Sequence, residues 1–188
     1  MGTIFNAEDF WAFSLDFYQF PTIETLCLEL QDRHQADVNL VLLCVYAATL
    51  KVSLCPLDMA DLAKYSGEFL TSTIKPLRER RRAIKSQMAN MSADSDEYTA
   101  LGELRNTVKI AELQAEKLAQ QQLIARFNSV CATSAFFKDE NLVNGALKNL
   151  AIYWQCLALS HEVVGELDTK WQSSLIKYFV LGIDNYTT

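Results

Sequence analysis

The sequence predicts an all-α fold, a multi-helix bundle with a long antiparallel helical hairpin. Three observations predict it. Apolar residues recur at spacings of three and four along most of the chain. No segment shows the period-two alternation of a half-buried strand. Glycine (6) and proline (3) are scarce in 188 residues, which disfavours turn-rich β architectures.

Asn6 is placed to cap a first helix over about residues 7–19, whose Phe10, Trp11, Phe13, Phe17 and Tyr18 make an aromatic surface. Phe20-Pro21 breaks the chain, and Pro21 suits the first turn of a second helix to about Arg33, with Ile23, Leu26, Cys27 and Leu30 on one face. Asp37 can cap a third helix, DVNLVLLCVYAATL, apolar nearly all round and therefore expected at the centre of the bundle. After a break at Cys55-Pro56, a shorter helix is expected near residues 58–65.

A long segment follows over about 68–88, in which Pro76 should kink or restart the helix near Lys75. NMSADSD, residues 90–96, is a turn. The longest helix is expected over about 96–129, with Leu101, Leu104, Val108, Ala111, Ala115, Leu118, Gln122 and Ala125 as a coiled-coil-like seam. Two more helices, about 141–166 and 168–183, complete the chain. The expected organisation is one helical domain over residues 1–188, a helical hairpin within it over 67–129, and a C-terminal helix pair over 130–188 packing on the bundle.

Composition narrows the setting. Half the residues are hydrophobic, and the net charge is −6 with a pI near 4.9, which argues against a general nucleic-acid binder. Cys27, Cys44, Cys55, Cys131 and Cys156 are odd in number and contain no CxxC, so free thiols in a reducing compartment are expected rather than a disulfide framework. MGTIFNAEDFW lacks a basic region followed by an apolar run, so it does not read as a signal peptide. The longest apolar stretch, residues 38–50, falls short of the roughly 20 residues that span a bilayer. The expected location is cytoplasmic, with no membrane partner.

The runs FWAFSLDFY and PTIETLCLELQDRHQADVNLVLL, followed by PLRERRRAIK and VKIAELQAEKLAQQQL, resemble a family of short bacterial proteins named domain of unknown function 2390, over about residues 10–120. The LQD…ADVN core is the most specific part of the likeness. Gln35 stands where the family pattern has glycine. The resemblance implies a bacterial, soluble, helical protein and supplies no activity.

Four groups of residues are candidates for function. The most polarised is KPLRERRRAIK, where Lys75, Arg78, Arg80, Arg81, Arg82 and Lys85 face only Glu79. Guanidinium forks match phosphate and carboxylate geometry, so this helix could hold an anionic partner. The competing reading pairs it with the ten acids of residues 1–70, which hold only three bases. Arg78 is then expected to meet Asp32 or Asp37, leaving Arg80 and Arg81 free.

The second group is Gln31, Asp32, Arg33, His34, Asp37 and Asn39, in which Asp32 and Asp37 could bind a metal or act as acid and base with His34 as proton carrier. Capping and turn satisfaction is the preferred account, because a metal needs several converging ligands. The third is the aromatic first helix, read as core packing in preference to a pocket wall. The fourth, His161-Glu162 with Glu166, lacks the second histidine of HExxH and reads as a solvated surface. No Gly-rich phosphate loop, GxSxG or Walker pattern occurs.

The resulting expectation is a non-enzymatic interaction or adaptor protein without a cofactor or metal. It would bind an anionic partner, an acidic protein surface or RNA, through Lys75, Arg78, Arg80, Arg81, Arg82 and Lys85. The alternative is a small-ligand protein or enzyme with a pocket at Trp11, Asp32, His34, Asp37, Asn39 and Arg78. A homodimer through the alanine-rich seam is a third possibility.

Overall fold

The computed structural model describes residues 5–130 and 141–160, and the fold among them is all-α without a strand. Helix α1 (Ala7–Tyr18) starts where Asn6 accepts the Glu8 N–H at 2.8 Å. Helix α2 (Pro21–His34) has proline in its first turn. It ends at Gln35, in the left-handed region at φ 53° and ψ 24°. That conformation costs an L-residue with a Cβ about 1–2 kcal/mol, which is why glycine is favoured there.

Helix α3 (Val38–Thr49) is the centre, with ten consecutive residues from Asn39 to Ala48 buried. A helix apolar on every side has to be enclosed by others. It packs against α7 (Leu142–Ser160) above all, and against α1, α2, α4 (Pro56–Phe69) and α6 (Asp96–Val130). The aromatic residues of α1 fill this core. Phe10, Phe13 and Phe17 are buried, with Phe13 stacked on Phe17 at 5.4 Å and Phe10 5.1 Å from Tyr46. Trp11 and Tyr18 stay partly exposed.

Between α4 and α5 (Lys75–Met88) the chain makes a five-residue π-turn, Leu70–Ile74. Its widened turn is closed by the Lys75 N–H on the Leu70 carbonyl. Pro76 has no N–H to give and crowds the carbonyl four residues back, so a local π-turn relieves it. The short helix expected over 58–65 and the segment from 68 are therefore one rod, Pro56 to Met88, with no break between. The helix begins at Pro56 itself, two residues before the expected start, with Pro56 in its first turn and Cys55 at the cap.

Helix α6, 35 residues and about 52 Å long, runs back along this rod. Ser95 caps it by accepting the Tyr98 N–H, with Asp96 and Glu97 in the first turn. The expected seam is corrected here. Leu104 and Leu118 are 50% and 44% exposed, and the buried positions are Ala115, Ala119, Gln120, Leu123, Ile124 and Phe127. The helix is turned so that Glu112 and Glu116 face the arginines of α5, and that ionic face sets its register. Between Asp96 and Gln114 no residue of α6 is buried. The two helices thus leave the core as an arm.

Helix α7 returns to the core through Ala146, Leu150, Tyr153 and Leu157. Asn149, completely buried, accepts the Leu54 N–H and donates to the Cys44 and Val52 carbonyls. It satisfies the Leu54 N–H and the Val52 carbonyl just beyond α3 and adds a bond to the Cys44 carbonyl within it. Asn128 similarly pairs both backbone groups of Phe5 to α6. The last expected helix, about 168–183, and His161, Glu162 and Glu166 lie outside the described residues. Among those described, Cys27, Cys44, Cys55 and Cys156 are free thiols.

Candidate functional site

The α2–α3 turn, α5 and α6 meet in a chain of polar side chains. Asp37 caps α3, taking the Asn39 N–H at 2.9 Å on one carboxylate oxygen and the Ser66 hydroxyl at 2.5 Å on the other. Its own N–H donates to the Tyr153 hydroxyl oxygen at 2.7 Å. Asn39 donates to Glu116 at 2.8 Å and accepts from Gln120 at 3.0 Å. Glu116 in turn holds Arg78 through a close ion pair. Arg78 also meets Glu112 at 3.4 Å, and Glu112 receives Arg81 at 2.5 and 3.2 Å.

The expected partners of Arg78 are therefore corrected. It pairs with Glu116 and Glu112 of α6, not with Asp32 or Asp37. Arg81, expected to be free, is held by Glu112. Asp32 takes Arg82 at 2.7 Å in an exposed pair. Acids 31 to 38 residues downstream of the arginines supply most of the neutralisation, because the antiparallel return of α6 places them alongside. Arg80 and Lys85 are exposed and have no carboxylate within salt-bridge distance among the described residues.

Burial governs the electrostatics. Desolvation raises the Asp37 carboxyl above its ordinary value, against the lowering hydrogen bonds from Ser66 and Asn39. Desolvation also raises Glu116, with Arg78 opposing and Asp37 reinforcing the shift. The exposed Asp32 moves the other way, lowered chiefly by its bond from Arg82. Burial lowers His34 and holds the Tyr153 hydroxyl well above its ordinary value. Asp37, Asn39, Glu116 and Arg78 satisfy one another, as buried polar groups usually do, while the Gln120 Oε1 is buried without a partner among the described residues.

The six residues expected to form a ligand pocket do not gather around one space. Asn39 and Arg78 belong to the filled network, and Asp32 is on the surface. Trp11 lies on another face, where Lys117 stands 6.0 Å over its ring. Asp37 is the one of the six that lines the cavity beside the π-turn. That cavity has a volume of about 480 Å³ and lies between the start of α3, α4, the π-turn and α7. Gln35, Lys64, Thr71, Lys75 and Tyr153 contribute its other polar side chains.

Sequence reading missed Glu112, Glu116 and Gln120 as partners, and Tyr153 altogether. Glu112 and Glu116 carried one usable signal, an i,i+4 acidic pair opposite an arginine run in a hairpin. Among the described residues no group of three or more His, Cys, Asp or Glu side chains is arranged to hold a metal ion. No helix among them is long and apolar enough to cross a membrane.

No curated protein and no solved structure matches the chain. A family model does, over residues 9–123, from α1 to the buried half of α6, a span that holds Asp32, Asp37, Asn39, Arg78, Arg81, Arg82, Glu112 and Glu116 and leaves Tyr153 outside. With more than half its length matched, the chain belongs to the family described as Protein of unknown function (DUF2390).

Proposed function

We propose that this protein is a non-enzymatic interaction module whose α5–α6 arm docks on an acidic protein surface. One observation carries the reading. The outer part of α6, residues 96–114, has no buried residue, yet it presents Ile110 and Leu113 at 51% and 54% exposure besides the half-exposed Leu104. Aliphatic side chains left in water on a projecting element are what a partner surface covers.

Charge complements this. Residues 75–114 hold eight cationic and six anionic side chains, on a chain whose total is −6. Arg80 and Lys85 are the members of the basic run left exposed without an ion pair among the described residues. They would steer an acidic surface while the aliphatic side chains supply contact area. RNA is the weaker fit. Single-strand recognition uses stacking platforms, and Tyr98 is the one aromatic residue between 75 and 114.

The test is retention of cell proteins on immobilised wild type and on a variant carrying Arg80→Glu, Lys85→Glu, Ile110→Ser and Leu113→Ser. All four positions are exposed, so each change should alter stability by no more than about 0.5 kcal/mol. An acidic protein held by wild type and lost at least tenfold by the variant is the expected result. Equal retention by both, or retention of RNA in place of protein, overturns the reading. Replacing Arg81 and Arg82 would be a poorer test, because both are in ion pairs within the fold.

A further inference from the structure

The cavity beside the π-turn is independent of the arm's outer surface and has its own chemistry. Its volume of about 480 Å³ falls within the range of small-molecule sites. Leu40, Ala63, Leu70 and Leu157 give it apolar walls. Lys75 lines it without a carboxylate in salt-bridge distance among the described residues, and Lys64 lines it as a second ammonium. Tyr153 lines it too. Its hydroxyl oxygen accepts from the Asp37 N–H, and its proton goes to no acceptor among the described residues. Thr71 adds a further hydroxyl.

Asp37 is the one acid in the lining, and both its oxygens are already engaged, by Asn39 and Ser66. It is therefore a poor counter-ion for a cationic ligand. The polar groups without a salt bridge among the described residues are the Lys75 and Lys64 ammoniums, the latter near Asp61, and hydroxyl donors, set beside apolar walls in a partly open cavity. The π-turn makes this arrangement possible, since Leu70, Thr71 and Lys75 come from it and from the residue after it. Short π-segments are frequent at functional sites for this reason.

We infer that this cavity is a binding site for a small anionic amphiphile, a carboxylate with an apolar chain. The head would meet Lys75 and Lys64, with the Tyr153 hydroxyl as a donor. The chain would lie against Leu40, Ala63, Leu70 and Leu157.

Gly67 supplies a test that leaves the charges alone. It lines the cavity, and a Cβ built there meets nothing within 4 Å, so a larger side chain can enter the space without displacing backbone. The experiment is calorimetric titration of the full chain with decanoate and with decanol. Wild type should bind decanoate at one site and decanol more weakly. Lys75→Met keeps the apolar stem and removes the charge, so it should weaken decanoate at least tenfold and leave decanol nearly unchanged. Gly67→Leu should abolish binding of both while circular dichroism shows an unaltered helical fold. Failure of wild type to bind decanoate overturns the inference. So does equal affinity for the two probes, wild-type decanoate binding by Lys75→Met, or wild-type binding by a folded Gly67→Leu. If Gly67→Leu does not fold, Lys75→Met with the two probes decides alone.

Discussion

At the residue scale, two side chains occupy positions their chemistry does not favour, and both give measurable consequences. Gln35 is left-handed at the end of α2, a conformation that glycine adopts without Cβ strain. Gln35→Gly removes the Cβ strain and adds chain entropy to the unfolded state, and the strain is the larger effect. The expected gain is about 0.5–1 kcal/mol, read as a shift in the urea midpoint. Asp37 is a cap, and also an acid kept out of water, with its carboxyl raised above 3.8. The folded state therefore binds the proton more readily than the unfolded state. The contribution of Asp37 to stability is greatest in acid and is lost as pH rises from about 4 through the raised value. Asp37→Asn keeps an oxygen for the Asn39 N–H and does not titrate. Plotted against pH, the difference in melting temperature between variant and wild type should move in favour of the variant over that interval. A difference that does not change with pH would show that Asp37 titrates as it does in the unfolded chain.

At the element scale, the helices differ in how far the sequence announces them. Asn6, Pro21 and Asp37 mark three starts in local chemistry, and all three are where the helices begin, while the Cys55-Pro56 step, read as a break, opens α4 directly. The apolar run of α3 states its central position because no other environment suits it. The register of α6 was not legible. Its leucines suggest one seam, but Glu112 and Glu116 must face Arg78 and Arg81, and burying those partners unpaired would cost more than exposing Leu104 and Leu118. That choice depends on which helix lies alongside, and a single helix does not encode it. The cavity was invisible for a similar reason. Its polar side chains come from residues 35 to 153 and converge only once the π-turn offsets α5 from α4. Asn149 shows the same limit, as one amide in α7 that bonds to three backbone groups near residues 44–54. Asn149→Ala leaves the Leu54 N–H and the Val52 carbonyl without their side-chain partner inside the core, so a loss of about 2 kcal/mol or more is expected in denaturant unfolding. A loss under about 1 kcal/mol would mean that water replaces the amide.

At the scale of the whole molecule, one helix belongs to two environments. The inner turns of α6 bury Leu123, Ile124 and Phe127 against the core, while the outer turns bury no residue and are tied to α5 through Glu112. Helix formation over the outer turns draws on local bonding and on Ile84, the one buried residue of α5. Opening there does not require the core to open. Amide hydrogen exchange should therefore divide α6 near Ala115, with amides of residues 100–112 exchanging on the order of 100-fold faster than those of 119–127. Uniform protection along the helix would mean that arm and core open together. A graded helix has a practical meaning for recognition. The arm can fray and re-form against a partner, adjusting its contact surface, while the same helix stays anchored at its other end and keeps the binding element oriented.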